Sequence, residues 1–372
     1  MRVALELQPC CGNRSGIGNY VYELAKRVTD RDGLEFCGNI FNFVGRNDNS
    51  KSLEGIAIPI RESRMFPYGV YRRIWNWFPV PYQSLFPGKT DLSIFFNYIV
   101  PPHIGGKVIT TIHDLTWLRF PETMDRRNRK RLRDGMNRSI LRSDHILTIS
   151  QFSKQEIIDL LDVPENRISI VPCAPSLSGD AEDFTRCAGK FHIVKPYLLY
   201  LGTIEPRKNL IRLLNAYSLL KKEQGIAHQL VLAGGHGWES EEVYRTAENT
   251  DGVVLTGYLT AAEKNALYQN AAAFVFPSLY EGFGIPPLEA MSFGCPVICS
   301  CVASLPEVAG EAARLVEPLD EKDIAQGIWD VISDREYASS LVAKGYQQTE
   351  KYTWDTSAEK LCEVCLAVLE GS

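Results

Sequence analysis

The chain predicts an α/β protein of two domains, each built on a parallel β-sheet. Three observations carry that expectation. Apolar strand-like runs alternate with helical patterns along the whole sequence, the mark of β-α-β units. The 372 residues exceed the usual size of one domain and suffice for two hydrophobic cores. The alternation lapses at Cys173-Ala174-Pro175-Ser176-Leu177-Ser178-Gly179-Asp180, a turn-rich and weakly apolar stretch that reads as a linker. Domains are therefore expected over residues 1–175 and 190–354.

In the first half the expected strands are 2–7, 35–44, 92–97, 107–112, 145–149 and 168–171. The second alternation begins at Pro196-Tyr197-Leu198-Leu199-Tyr200-Leu201-Gly202 and continues near 229–234, 253–256, 272–277, 296–300 and 314–316. In such sheets ligands sit beyond the carboxyl ends of the strands. The loops that follow strands therefore come first in a search for chemistry.

Composition narrows the function classes. Apolar content of 45% and few prolines and glycines argue against disorder. No apolar run approaches a membrane span, and Met1–Leu7 reads as a strand, so a cytoplasmic location is expected. The ten cysteines then count as small buried hydrophobes. Cys362 and Cys365 form a lone pair on a predicted C-terminal helix, without the further ligands a zinc site needs. Charge is unevenly spread. Residues 1–179 hold 24 Lys and Arg against 18 Asp and Glu, whereas 180–372 hold 16 against 27. Such a split points to an anionic partner met by the first half.

The first loop, Cys11-Gly12-Asn13-Arg14-Ser15-Gly16-Ile17-Gly18-Asn19-Tyr20, follows the first strand. It is not a dinucleotide fingerprint, because Val21 stands where a third glycine belongs. A dehydrogenase is disfavoured. What remains is a glycine-rich turn opening a helix, whose N–H groups can approach a phosphate, with Gly16 and Gly18 as binding candidates. At the end of the 107–112 strand stand His113 and Asp114, where functional residues concentrate. Ser150, after the next strand, reads first as a helix cap and second as a site residue.

In the second half, Gly202-Thr203-Ile204-Glu205-Pro206-Arg207-Lys208-Asn209-Leu210 again joins a strand to a helix. Adjacent Arg207 and Lys208 offer a fork and a point charge for a pyrophosphate. The densest chemistry lies in Pro277-Ser278-Leu279-Tyr280-Glu281-Gly282-Phe283-Gly284-Ile285-Pro286-Pro287-Leu288-Glu289-Ala290. Pro286 and Pro287 suit the first turn of a helix, whose N-terminus attracts anions. Glu281 and Glu289, eight residues apart, cannot neighbour each other on one helix face. Two hydroxyl-seeking carboxylates around an anion-attracting helix end point to a sugar nucleotide.

With the following Gly294-Cys295-Pro296-Val297-Ile298 strand, this segment resembles the E-x7-E signature of retaining GT-B glycosyltransferases. The chain is identified as a member of glycosyltransferase family 4, group 1, and is similar to bacterial polysaccharide and O-antigen mannosyltransferases. The resemblance runs from the Gly16 loop to Leu305-Pro306-Glu307-Val308-Ala309-Gly310. It implies two Rossmann-like domains facing across a cleft, with a last helix over 355–372 returning to the first domain. It implies transfer of a hexose from a nucleotide sugar to a glycan or lipid-linked glycan in surface polysaccharide biosynthesis, with the anomeric configuration kept. In that reading Arg207 and Lys208 bind the pyrophosphate, Glu281 a donor-sugar hydroxyl and Glu289 both ribose hydroxyls. Gly202, Gly282, Phe283 and Gly284 lie along the donor, as do Gly16, Gly18 and Ser150. His113 orients the donor sugar, and Asp114 positions the acceptor or its loop. No cofactor and no metal are expected.

GDP-mannose is the first choice of donor, followed by UDP-hexoses. A sugar-nucleotide epimerase, a disaccharide phosphorylase and a non-catalytic nucleotide-binding subunit are the alternatives. A further expectation concerns membranes. Residues 126–142 hold Arg126, Arg127, Arg129, Lys130, Arg131, Arg133, Arg138 and Arg142, with Leu132, Met136, Ile140 and Leu141 at helical spacing. One face can pack while the other meets an anionic membrane. The aromatic and basic stretch 66–78 reads as an interfacial anchor, placing the protein on the inner face of the cytoplasmic membrane. Nucleic acid is not expected as a partner.

Overall fold

The computed structural model describes residues 1–371 except 13, 31–32, 46, 76, 78–79 and 177–178. Asn13 of the first loop, Asn76 and Phe78 of the aromatic stretch, and Leu177 and Ser178 of the expected linker thus lie outside the described residues. The chain divides into two compact units. One comprises Met1–Leu115, Arg126–Cys173 and the stretch from Trp354 onward; the other comprises Thr116–Asp125 and Ala174–Thr353.

The first unit holds β1 (Arg2–Glu6), β2 (Glu35–Phe41), β3 (Ile60–Ser63), β4 (Leu92–Phe95), β5 (Lys107–Thr111), β6 (His145–Thr148) and β7 (Ile168–Ile170). They pair in the order β3-β2-β1-β4-β5-β6-β7, each neighbour parallel. Strand β3 was absent from the sequence expectation. It is a short edge strand, and Ile60-Arg61-Glu62-Ser63 carries neither an apolar run nor alternation. Strand β2 stops at Phe41, short of the expected 44, because the chain turns at Val44 with φ of 56°.

The second unit holds β8 (Tyr197–Leu201), β9 (Gln229–Ala233), β10 (Val253–Gly257), β11 (Ala273–Phe276), β12 (Val297–Ser300) and β13 (Ala313–Val316). Their order is β10-β9-β8-β11-β12-β13, again all parallel. In both sheets the chain first winds one way from the central strand, then returns to its other side. The reversal falls between β1 and β4 in one unit and between β8 and β11 in the other. At such a switch point the two following loops diverge and leave a crevice at the strands' carboxyl ends.

Segment Thr116–Asp125 belongs with the second unit although it follows β5 directly. Trp238 Nε1 donates to Thr123 O at 2.6 Å, and Phe120 lies 5.5 Å from Tyr280, ring centre to ring centre. The helix Trp354–Glu370 packs on the helix Gly16–Arg27. Ser357 Oγ donates to Pro172 O at 2.9 Å, and Arg27 pairs with Asp355.

Two membrane-facing expectations change. In the stretch 66–78 Tyr71 and Trp75 are buried with Phe41, Tyr82 and Phe86, and Phe66 and Tyr68 pack against them half-buried, whereas Pro67, Gly69, Val70, Arg73 and Trp77 are exposed. An anchor would have turned those rings outward. In the helix Arg126–Arg142 the packed face is Leu132, Met136 and Ile140, whereas Leu141 is 84% exposed. Arg131 and Arg142 are also drawn inward, donating to Asn97 Oδ1 and Val100 O. Arg126, Arg127, Arg129, Lys130, Arg133 and Arg138 stay exposed. Among the described residues no helix is long and apolar enough to cross a membrane. Eight of the ten cysteines are buried and all are reduced, Cys11 being half-buried and Cys301 exposed.

Candidate active site

In the second unit, the loops after β8 and β11 converge at the switch point. Asn209, with φ of 61°, ends the first loop and opens the helix Leu210–Gln224. Its Nδ2 donates to Pro277 O at 3.1 Å and Pro318 O at 2.6 Å, and Leu279 N donates to Arg207 O. These bonds lock the basic turn Pro206–Lys208 against the chain leaving β11.

The lock brings four charges together. Lys208 Nζ donates to Glu281 Oε1 at 2.5 Å; Arg207 lies 3.0 Å from Glu281 Oε2 and 2.6 Å from Glu205 Oε1. All four side chains are at most 15% exposed. Burial alone would raise the Glu281 pKa, but Arg207 and Lys208 overcome it and hold the carboxyl at about 2. For Glu205 burial wins and the pKa is raised. Burial, and then Arg207, pull the Lys208 pKa down, with Glu281 and Glu205 opposing. The result is two cations preorganised where a phosphate charge would develop, with a firmly ionised carboxylate between them.

Glu281 is held from behind as well. The Ser304 hydroxyl sits 2.9 Å from Glu281 O and 2.7 Å from Phe283 O. Gly284 has φ of 115°, and a Cβ there would lie 2.7 Å from Leu305 Cδ2, so only glycine fits this turn. Beyond it runs the helix Ile285–Ser292, with Pro286 and Pro287 in its first turn. Glu289 lies inside that helix, apart from the Glu281 cluster, and has its own partners. Lys264 Nζ donates to its Oε1 at 2.7 Å and Tyr268 OH to its Oε2 at 3.3 Å.

Several supporting residues escaped the sequence reading. Gly234 and Gly237 follow β9: a Cβ on Gly234 would lie 1.9 Å from Gly202 O, and one on Gly237 2.5 Å from Ile204 O. This backbone contact fixes the loop that carries Arg207 and Lys208. Its signal, Gly234-Gly235-His236-Gly237 after a predicted strand, was available in the sequence. Lys264, Tyr268 and Ser304 carried no such signal, since their partners lie far away in the chain, whereas Glu205 and Asn209 stand in the same short segment as Arg207 and Lys208.

In the first unit, His113 ends β5's turn and is buried between rings, 5.2 Å from Tyr20 and 5.5 Å from Tyr98, both edge-on. Its Nε2 lies 2.8 Å from Phe96 O. A carbonyl only accepts, so that nitrogen carries the proton and Nδ1 is the ring's acceptor. Burial lowers the His113 pKa and keeps the ring neutral. Asp114 is half-buried beside Tyr98, whose phenol burial and then Asp114 hold well above its usual pKa.

The glycines of the first loop divide. Ser15 caps the helix Gly16–Arg27 by accepting from Gly18 N. A Cβ on Gly18 would meet Pro9 O at 2.4 Å, so Gly18 is needed for packing. Gly16 is exposed with open space around it. Ser150 is buried, and its Oγ accepts from Ser153 N, capping the helix Gln151–Leu161.

Comparison with known proteins places this geometry. The model of the glycosyl transferases group 1 family matches residues 189–348, and that of glycosyltransferase family 4 matches 14–177. The O-antigen chain mannosyltransferase B of Escherichia coli is 31% identical over 95% of this chain and 97% of its own length. Among solved structures, sucrose-phosphate synthase of Thermosynechococcus elongatus aligns with a TM-score of 0.75 at 18% identity, over 100% of both chains. Anabaena HepE in complex with UDP-glucose aligns with a TM-score of 0.72 at 15% identity, over 99% of this chain and 100% of its own. These structures share the GT-B fold with the two α/β units described above.

Proposed function

This chain belongs to the group 1, family 4 glycosyltransferases of polysaccharide biosynthesis, and from that premise we propose that it transfers mannose from GDP-mannose to a glycan acceptor, keeping the anomeric configuration. The observation that carries the reading is the buried Arg207–Lys208–Glu281 cluster at the second unit's switch point. Arg207 and Lys208 take the donor pyrophosphate and stabilise the charge that builds on the departing nucleoside diphosphate. Glu281 accepts from a donor-sugar hydroxyl, and Glu289, oriented by Lys264 and Tyr268, accepts from the ribose hydroxyls. The likeness to an O-antigen mannosyltransferase over nearly the full length of both chains supports mannose as the sugar.

The reading assigns no covalent nucleophile and no metal. Glu281 is engaged by two cations, which favours binding over attack. His113, neutral with Nδ1 as acceptor, is suited to a sugar hydroxyl and not to proton donation. The exposed basic face of Arg126–Arg142 fits an anionic membrane surface. Binding to phosphatidylglycerol vesicles that weakens with salt, and is lost on joint replacement of Arg126, Arg129, Lys130 and Arg133 by Gln, checks that placement. Salt-insensitive binding contradicts it.

The test of function is transfer from GDP-mannose to a mannose oligosaccharide, with the new linkage read by NMR. An α-linkage from the α-linked donor is expected. Transfer from UDP-glucose instead would replace the donor assignment, and a β-product would overturn retention.

A further inference from the structure

The four charged side chains at the second unit's switch point already balance one another. Arg207 and Lys208 supply two positive charges, Glu205 and Glu281 two negative ones. Both cations are therefore matched before any anion arrives. Arg207 is heavily committed. Its Nη1 donates to Tyr280 O and lies 3.0 Å from Glu281 Oε2, while Nη2 donates to Glu205 Oε1 at 2.6 Å. A guanidinium presents its N–H donors in a rigid fork and holds a phosphate best with two of them side by side. To turn that fork toward a pyrophosphate, Arg207 must give up a carboxylate.

The two carboxylates are not equally held. Glu281 has Lys208 as well as Arg207, and Ser304 pins its backbone. Among the described residues, the Glu205 carboxylate has one hydrogen-bond partner, Arg207. Its side chain is only 4% exposed. Glu205 is therefore the anion that Arg207 can release. Once released, it is a buried carboxylate that has lost its hydrogen-bonded cation and lies near a ligand of like charge. Such a group neutralises by binding a proton.

We propose that the donor pyrophosphate displaces Glu205 from Arg207, and that Glu205 takes up one proton from solvent as it is released. The proposal rests on the glycosyl-transfer reading above and adds a proton to its binding step. Arg207 exchanges a carboxylate for a phosphate, and an O–H bond forms on Glu205. The proton returns to solvent when the nucleoside diphosphate leaves and Arg207 swings back. Glu205 is thus a positioning residue, which holds the Arg207 fork until the donor arrives.

The groups facing Glu205 are Arg207 and Lys208 from its own turn, Glu281 after β11 and Tyr200 on β8. The loop after β9 meets it with backbone: a Cβ on Gly237 would lie 3.2 Å from Glu205 Cβ, while His236 stacks on Tyr244 at 3.9 Å. Burial raises the Glu205 pKa, Arg207 and then Lys208 oppose, and Glu281 adds to the rise. Burial, then Glu281 and Glu205, hold Tyr200 well above its usual pKa, and Glu281 stays at about 2. Arginine keeps its proton throughout. The members left to change charge toward neutrality are Glu205, raised from below, and Lys208, lowered from above.

The experiment counts protons. GDP-mannose is titrated into the full chain by calorimetry at pH 7, without acceptor, in buffers of different ionisation enthalpy. Its pyrophosphate is esterified at both ends and does not titrate near neutrality, so the protons counted belong to the protein. The wild type is expected to take up about half a proton to one proton per GDP-mannose, and its Kd to rise up to about tenfold from pH 7 to 8. Glu205→Gln should bind GDP-mannose with no uptake and with a Kd flat across that range. Binding without uptake in the wild type would overturn the proposal and leave the pyrophosphate assignment standing. Uptake that persists in Glu205→Gln, or is lost in Lys208→Arg, would give the proton to Lys208 and overturn it too. UDP-glucose carries the same pyrophosphate and separates the two failures. If it binds with uptake where GDP-mannose does not bind, the donor assignment fails and the Glu205 proposal stands. Binding of neither takes the pyrophosphate away from this cluster, and the proposal falls with it.

Discussion

Lys208 Nζ lies 2.5 Å from Glu281 Oε1, joining the basic turn after β8 to the first glutamate of the signature after β11. Seventy-three residues separate the two in sequence, and the parallel β8–β11 pairing brings their loops together. The pair serves two ends: Glu281 opposes the fall that burial and Arg207 impose on the Lys208 pKa, and Lys208 with Arg207 keeps Glu281 ionised.

Glu281→Gln should cut kcat by two orders of magnitude or more and destabilise the protein at pH 7. Removing one member of a buried ion pair costs about 3–5 kcal/mol, because its partner stays buried and uncompensated. The pH dependence has a definite sign. The native carboxyl titrates at about 2 and the unfolded one at 4.5. Its stabilisation is therefore present above pH 4.5 and is lost as pH falls toward 2, amounting to ~3 kcal/mol. Denaturant midpoints against pH should converge for wild type and variant near pH 2. Parallel curves would mean that Glu281 is not held by these cations.

Gly16 and Gly18 should part company. Gly18→Ala drives a methyl into the Pro9 carbonyl and should cost roughly 1–3 kcal/mol. Gly16→Ala meets open space and should leave the melting temperature within a degree or two. If the Gly16 turn approaches a substrate, Gly16→Val lowers kcat/KM at unchanged stability. Full activity in Gly16→Val would remove Gly16 from the site.

Glu289→Gln and Lys264→Met should each weaken GDP binding about tenfold while leaving pyrophosphate binding intact. In both, the ribose-facing carboxylate is lost or misaimed while Arg207 and Lys208 are untouched. Calorimetric titration with the two ligands checks this. Equal losses for GDP and pyrophosphate would place Glu289 at the phosphates.

Glu6 carries the opposite pH signature to Glu281. Its native pKa of about 8 lies above the ordinary 4.5, so between those values the folded chain keeps a proton that the unfolded chain releases. Stability therefore falls as pH rises across that window. Glu6→Gln has no proton to lose and should exceed the wild type by roughly 3–5 kcal/mol at pH 8, with the difference closing near pH 4.5. A variant less stable than wild type at pH 8 would show that the carboxylate is satisfied in the fold.

How far the sequence could be read depended on how local each signal was. Arg207, Lys208, Glu281 and Glu289 sit in short motifs next to strong apolar strands, so their type and place were legible. Their partners were not: Lys264 reaches Glu289 from a separate helix, and Ser304 pins Glu281 from 23 residues away. The strand Ile60–Ser63 was missed because an edge strand needs little hydrophobicity. The aromatics of 66–78 were read as outward-facing because basic residues interleave them, yet Tyr71 and Trp75 complete a core around Phe41. Glu6 passed as part of an ordinary strand, since a buried carboxyl looks like an exposed one in sequence.

The most direct test of the account is the melting temperature of the purified protein with GDP, UDP and ADP, repeated on Lys208→Ala. Ligand at a hundred times its Kd stabilises a folded site by about 2.7 kcal/mol, enough for a clear upward shift. The account predicts that GDP raises the melting temperature of the wild type more than UDP or ADP does, and that Lys208→Ala loses most of that rise. No shift with GDP, or an undiminished shift in Lys208→Ala, would contradict it.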